Sequence, residues 1–181
     1  QQGADQDAID RRIWDLFGEE WCIMATDLVG FSRGVARFGI IHFLQTIFEA
    51  ERILVPVIEG HDGILLKVEG DSFLVIFRNV QKAILASMAM QRTLREYNAT
   101  HADEDQVLLG VGLGWGRVLR IGDADVFGAE VNAACMLGED TARAYEILVT
   151  EAVRQKVEEH RFVEIDECPP GAGKAWRLVL E

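Results

Sequence analysis

The chain has 181 residues and a formal net charge of −12, from 30 acidic against 18 basic side chains. That balance excludes a broad nucleic-acid surface, which needs clustered Lys and Arg. The composition, 49% apolar and 27% charged, is that of an ordinary globular domain with a sizeable core, and no apolar run reaches the ~20 residues that span a bilayer.

The opening stretch "QQGADQDAIDRR" is polar and has no signal-peptide core. It lacks an initiator Met, so the chain is expected to be a piece of a longer protein. Residues 1–18 read as an N-terminal linker or connecting helix, and residues 19–181 as the domain proper. The three cysteines, Cys22, Cys135 and Cys168, are scattered and form no C-x-x-C pair. This predicts reduced thiols, a cytoplasmic setting and no zinc site.

"WCIMAT" (21–26) reads as a buried strand that ends at Asp27. After "DLVGFSRG", apolar residues at Ile40, Leu44, Ile47, Phe48, Leu54 and Ile58 recur at helix spacing, and Pro56 is expected to bend or end that helix. "ILLKV" and "SFLVIF" read as a hairpin around Glu69, Gly70 and Asp71. "VQKAILASMAMQRTLREY" is an amphipathic helix and "HADEDQ" a polar loop. "VLLGVGLGWG" and "RVLRIG" read as two strands, the first rich in glycine. "EVNAACMLGEDTARAY" then reads as a helix, "EILVT" as a strand and "EAVRQKVEEH" as a short helix. "FVEID" and "AWRLVLE" read as a closing hairpin. The first six elements follow the β-α-β-β-α-β order of a ferredoxin-like α+β sheet with helices on one face, extended by a C-terminal αβ portion.

In such a sheet the first strand lies beside the third, which brings Asp27 and Asp71 to one edge. Two ionised carboxylates at close range repel unless one is protonated or a cation lies between them. Their oxygens suit Mg²⁺ or Mn²⁺, which also take waters and substrate phosphates. Gly30 permits close backbone approach, and amides entering a helix cradle phosphate. The plainer alternative is an Asp at a strand end and an Asp in a turn, each held by local hydrogen bonds. Spacing alone leaves both readings open. Likewise Lys67 reads as an edge-strand lysine that discourages aggregation, Asp125 as a turn residue, and Asn132 as a helix N-cap.

Four motifs shift that balance. "ATDLVGFSRG", "LKVEGDSFLVIF", "GVGLGWGRV" and "DVFGAEVNAA", in this order and at these intervals, resemble the class III adenylate/guanylate cyclase catalytic domain. The resemblance runs from about Trp21 to the C-terminus. It implies a ferredoxin-like core and a head-to-tail homodimer with active sites at the interface. It also implies attack of the ribose 3′-hydroxyl of ATP on the α-phosphate, giving 3′,5′-cyclic AMP and pyrophosphate. By the same resemblance Asp27, Asp71 and the backbone of Leu28 bind two Mg²⁺ or Mn²⁺ ions, and the backbone of Leu28, Val29, Gly30, Phe31 and Ser32 contacts metal and phosphates. Lys67 and Asp125 select adenine, Asn132 orients the ribose or reacting phosphate, and Lys174 takes the terminal phosphates.

One position departs from the family pattern. Where V-N-x-A-x-R is usual, "VNAACM" places Met136, which has neither charge nor donor. Arg143, two turns further along the same helix face if the helix continues, is a candidate substitute; Arg117 and Arg120 are other donors without an assigned place. The alternatives are therefore a slow or inactive cyclase domain that binds nucleotide, dimerises and regulates a partner, or a cyclase for another nucleotide such as GTP. No contact with membrane or nucleic acid is expected, and regulatory domains in a longer parent chain fit the reading.

Overall fold

The computed structural model describes residues 2–180, with the side chains of residues 2, 4 and 31–33 outside the described set. Helix α1 (Gln2–Phe17) leads into β1 (Gly18–Leu28). Then come α2 (Phe31–Phe38), α3 (Ile40–Gly60), β2 (Ile64–Glu69), β3 (Ser72–Phe77), α4 (Val80–Asn98) and β4 (Leu109–Ile121). The extension comprises β5 (Asp125–Phe127), α5 (Ala129–Cys135), β6 (Ile147–Thr150), α6 (Glu151–Lys156), β7 (Phe162–Ile165) and β8 (Ala175–Leu178). The strands form one sheet in the order β2-β3-β1-β4-β6-β8-β7, with β5 paired to β4. The expected neighbours β1 and β3 are antiparallel, with Thr26 opposite Phe73. No helix among the described residues is long and apolar enough to cross a membrane.

Strand alternation divides the core between two faces. Cys22, Met24, Val75, Phe77, Leu109, Val111 and Leu113 point to the face covered by α3 and α4. Trp21, Ile23, Ala25, Leu74 and Ile76 point to the other face, where α5 brings Val131 and Ala134. The helices of the β-α-β-β-α-β unit thus share one face, and the extension closes part of the other.

Four expectations about elements need correction. The helix after Asp27 is two helices, because Gly39 sits at φ 87°, ψ 166°, a conformation side chains disfavour. Pro56 does not end α3: the carbonyl it strands, on Arg52, lies on the exposed side, while Ala50, Leu54 and Ile58 on the other side are buried. The two strands expected from 107 to 122 are one, β4, whose ladder with β1 runs unbroken from Leu109 opposite Leu28 to Leu119 opposite Gly18. Finally, α5 does not continue to Tyr145. It passes into a π-helical turn over Met136–Thr141, and the chain is extended at Ala142.

Candidate active site

The site begins at the end of β1. The buried hydroxyl of Thr26 accepts the Phe73 N–H at 3.2 Å, tying the end of β1 to the start of β3. The two-residue turn Gly70–Asp71, with Gly70 at φ 59°, then places Asp71 beside Asp27. The Asp27 carboxyl takes hydrogen bonds from its neighbour's Leu28 N–H at 3.0 Å and from the Ser72 hydroxyl at 3.2 Å. Burial, followed by the hydrogen bond and charge of Asp71, pushes the Asp27 carboxyl up to about 7. Ser72 opposes that shift, and Glu139 adds to it.

The next stretch enters α2. Leu28 is buried, the Val29 N–H donates to the Leu108 carbonyl at 2.8 Å, and Gly30 turns the chain at φ 85°. A Cβ on Gly30 would meet nothing, so backbone conformation rather than space calls for glycine there. Phe31 and Ser32 open α2, and their side chains lie outside the described residues.

Lys67 reaches the site through an irregularity. The β2–β3 register pairs Leu65 with Val75 but Lys67 with Leu74, so Leu66 is an extra residue in β2. Without that bulge Lys67 would oppose Phe73 and point to the α3–α4 face; with it, Lys67 shares Leu74's face. Its ammonium there meets Asp125 of β5 at 2.8 Å and Glu69 at 3.2 Å. Both carboxylates, Asp125 foremost, hold the Lys67 ammonium above its ordinary value. The apolar run "ILLKV" carried no sign of this bulge.

Asn132 is four residues into α5, exposed, with its N–H bonded to the Gly128 carbonyl at 3.2 Å. The helix cap is Gly128, so the N-cap reading of Asn132 is corrected. Lys67, Asp125, Asn132, Ser72 and Cys135 line a common cavity of about 300 Å³. Glu139 completes its wall, a residue that sequence reasoning missed because nothing marked the π-turn that carries it. Burial and the neighbouring Asp140 and Asp71 raise the Glu139 carboxyl, and burial pushes the Cys135 thiol up to about 11. A larger groove of about 580 Å³, lined by Ile41, His42, Phe48 and Tyr97, lies apart from these carboxylates.

The remaining candidates are elsewhere. Arg143 lies beyond the helix end, exposed, beside Glu146 and Glu164; it is not on Asn132's helix face. Arg117 donates to the Trp14 carbonyl at 2.7 Å, fastening β4 to α1. Arg120 stands over the Trp21 ring at 5.4 Å, towards the other end of β1 from Asp27. Lys174 pairs with Glu164 at 3.6 Å in the β7–β8 connection and does not line the cavity. Met136, half-buried, opens the π-turn.

The donor set suits a hard divalent cation. A carboxyl raised first by burial and then by a neighbouring carboxyl is relieved when a cation takes the place of its proton. Among the described residues no group of three His, Cys, Asp or Glu side chains is gathered to hold an ion. Asp27 and Asp71 leave most positions to water and phosphate, which is the habit of Mg²⁺ rather than of an all-protein cage.

A family model described as the adenylate and guanylate cyclase catalytic domain matches residues 18–169. The chain is 33% identical over 131 residues to a serine/threonine-protein kinase, pkn2, of Myxococcus xanthus, covering 72% of this chain and 16% of that protein. It is 27% identical over 149 residues to a putative adenylate cyclase 3 of Rhizobium meliloti, covering 82% of this chain and 25% of that one. The chain thus spans a quarter or less of the curated relatives it matches. In fold it resembles an adenylate/guanylate cyclase/hydrolase from Silicibacter pomeroyi, with a TM-score of 0.77 at 22% identity, covering 91% of this chain and 98% of that one. It also resembles the adenylyl cyclase CyaB from P. aeruginosa, with a TM-score of 0.76 at 16% identity, covering 91% and 95%. The paired aspartates at the β1 and β3 ends, the cavity beside them and these matches lead to one assignment: the chain belongs to the class III adenylate and guanylate cyclase catalytic domain family.

Proposed function

We propose that this domain converts ATP to 3′,5′-cyclic AMP and pyrophosphate as a cytoplasmic homodimer. The observation that carries the reading is the Asp27–Asp71 pair standing beside a cavity with a Lys67–Asp125 ion pair in its wall. Lys67 spends one N–H on Asp125 and one on Glu69, which leaves a third for adenine N1. The second oxygen of Asp125 is open to the exocyclic amine. A guanine ring presents the opposite polarity at both places. One chain supplies Asp27 and Asp71 to a site, and its partner supplies the base-reading pair and Asn132.

Asp27 and Asp71, with the Leu28 backbone, would hold Mg²⁺ or Mn²⁺. When bound, the ions supply acidity to the 3′-hydroxyl and charge to the leaving pyrophosphate. The chain's own work is positional. Lys67 and Asp125 fix the base, Asn132 fixes the ribose, and the amides from Leu28 to Ser32 receive phosphate oxygens. The O3′–Pα bond forms as the bond from Pα to the pyrophosphate oxygen breaks, and the hydroxyl proton passes to solvent or to a substrate phosphate.

A second reading has its own observation. Among the described residues Lys67 is the one cation lining the cavity, and Met136 stands where the family carries Arg. Loss of such a preorganised donor costs about 10²–10³ in rate. On this reading the domain binds nucleotide, dimerises and regulates the rest of a longer chain. Incubating the protein with each of the four nucleoside triphosphates and Mn²⁺, with products identified by mass, separates the readings. Cyclic AMP that vanishes in Asp27→Asn supports the cyclase; cyclic GMP as the main product overturns the adenine assignment. Tight nucleotide binding without product favours the regulatory module.

A further inference from the structure

Glu139 is exposed at the mouth of the cavity of Lys67, Asp125 and Asn132, and it has no hydrogen-bond or ion-pair partner among the described residues. Asn132 and Cys135, three residues apart on α5, and Glu139 on the π-helical turn that follows all line this one cavity. The segment is held in place by contacts that leave no room for side chains. A Cβ on Gly138 would lie 2.2 Å from the Ala25 carbonyl oxygen, and one on Gly112 would lie 2.3 Å from that of Ala134. Glu130 adds two ties, accepting from the Trp115 N–H at 3.1 Å and the Thr150 hydroxyl at 2.6 Å. Glu139 therefore faces the cavity because the backbone beneath it is fixed, with Asp71 and Lys67 as its electrostatic neighbours.

An ionised carboxylate only accepts hydrogen bonds. On the reading above, a bound nucleoside triphosphate offers few donors to it. Phosphate oxygens only accept, and like charge keeps them from a carboxylate. The exocyclic amine belongs to Asp125. The 3′-hydroxyl lies at the aspartate end and gives up its proton. The donor that remains is the 2′-hydroxyl. We propose that Glu139 accepts a hydrogen bond from the 2′-hydroxyl of the substrate ribose, making it a specificity residue for ribonucleotides over 2′-deoxyribonucleotides. This assignment rests on the cyclase reading.

The test uses two ATP analogues that cannot cyclise: 3′-deoxyATP, which keeps the 2′-hydroxyl, and 2′,3′-dideoxyATP, which lacks it. Dissociation constants are measured with Mn²⁺ for the unmodified protein, Glu139→Ala and Glu139→Gln. The unmodified protein is expected to prefer 3′-deoxyATP by about tenfold, since a site built for a hydroxyl rejects the analogue lacking it. Glu139→Ala should shrink the ratio to within about twofold, and Glu139→Gln, whose amide oxygen still accepts, should keep part of it. Equal binding of both analogues by the unmodified protein, or an unchanged ratio in Glu139→Ala, overturns the assignment while leaving the cyclase reading intact. If Glu139→Ala does not fold, Glu139→Leu replaces it under the same criterion. If neither analogue binds, the cyclase reading falls and this assignment falls with it.

Discussion

Two charged pairs stand at the substrate end of the sheet, and they are built on opposite principles. Lys67 and Asp125 bring opposite charges together at 2.8 Å, and each stabilises the other within a single chain. Asp27 and Asp71 bring like carboxyls together in a half-buried place, and the Leu28 N–H and Ser72 hydroxyl only partly offset the resulting rise in the Asp27 proton affinity. The first pair is a finished structure. On the proposed reading the second is incomplete without the cation it would hold. On that reading the chain has recognition built in at one pair and depends on something added at the other.

The largest effect expected from breaking the comparison is at the incomplete pair. Asp27→Asn and Asp71→Asn should each lower turnover by more than about a thousandfold, on the scale of removing one member of a catalytic unit. Circular dichroism should show the fold unchanged. Full turnover in either variant would remove the metal-holding role. At the finished pair, Lys67→Glu with Asp125→Cys should lower kcat/KM for ATP by about a hundredfold, since the site's polar groups then mismatch the base. Binding of inorganic Mn²⁺-triphosphate should change far less. Equal losses in both would show that the pair does not read the base.

Smaller effects sharpen the contrast. If missing positive charge limits the rate, Met136→Arg should raise kcat by about tenfold with little change in KM, because the interaction belongs to the transition state. A mixture of Asp71→Ala and Asn132→Ala chains, each inactive alone, should recover to roughly a quarter of normal activity in a symmetric dimer that exchanges subunits, since half of the dimers are mixed and each has one intact site. Exchange without recovery would mean that one chain supplies both pairs to a site.

The smallest effect is on stability. The Asp27 carboxyl ordinarily titrates near 3.8 and is raised to about 7 in the folded chain. The folded state therefore binds the proton more tightly than the unfolded state. This stability is fully present below pH 3.8 and is lost as pH rises towards about 7. In metal-free protein, Asp71→Asn should flatten that decline, and the difference should be a few degrees in Tm, at ~2–4 °C per kcal/mol for a domain of this size. An unchanged pH profile in Asp71→Asn would mean that Asp71 does not set the Asp27 proton affinity.

The elements that place Asp27 and Asp71 were legible in the sequence because they rest on short apolar runs, a glycine turn and a strand order that brings β1 beside β3. Lys67 and Asp125 were legible only through the resemblance, since the bulge at Leu66 that turns Lys67 to Asp125's face leaves no mark on composition or period. Glu139 was missed for a related reason. A helical pattern through "ACMLGEDT" gives no sign that the ladder switches to a π-turn at Met136. The break at Gly39 and the unbroken run of β4 were also misread, because local glycine signals were weighed without the partner strand. An eleven-residue β1 keeps β4 paired across glycines that would suggest a turn.

Those β4 glycines have a mechanical consequence. Gly110, Gly112, Gly114 and Gly116 all face the segment that carries Asn132 and Glu139. A Cβ at these positions would come within 2.9, 2.3, 2.4 and 2.9 Å of Ala142, Ala134, Glu130 and Glu130 respectively. The helix rests on bare main chain, so its height above the sheet is the least that two backbones allow. A methyl group at Gly112 or Gly114, where the neighbour is backbone, must lift or tilt the shelf and carry Asn132, Cys135 and Glu139 with it. Positions outside the cavity thereby hold a coarse adjustment over the part of its wall that α5 and the π-turn supply, and drift there can retune the domain while every side chain of that wall stays in place.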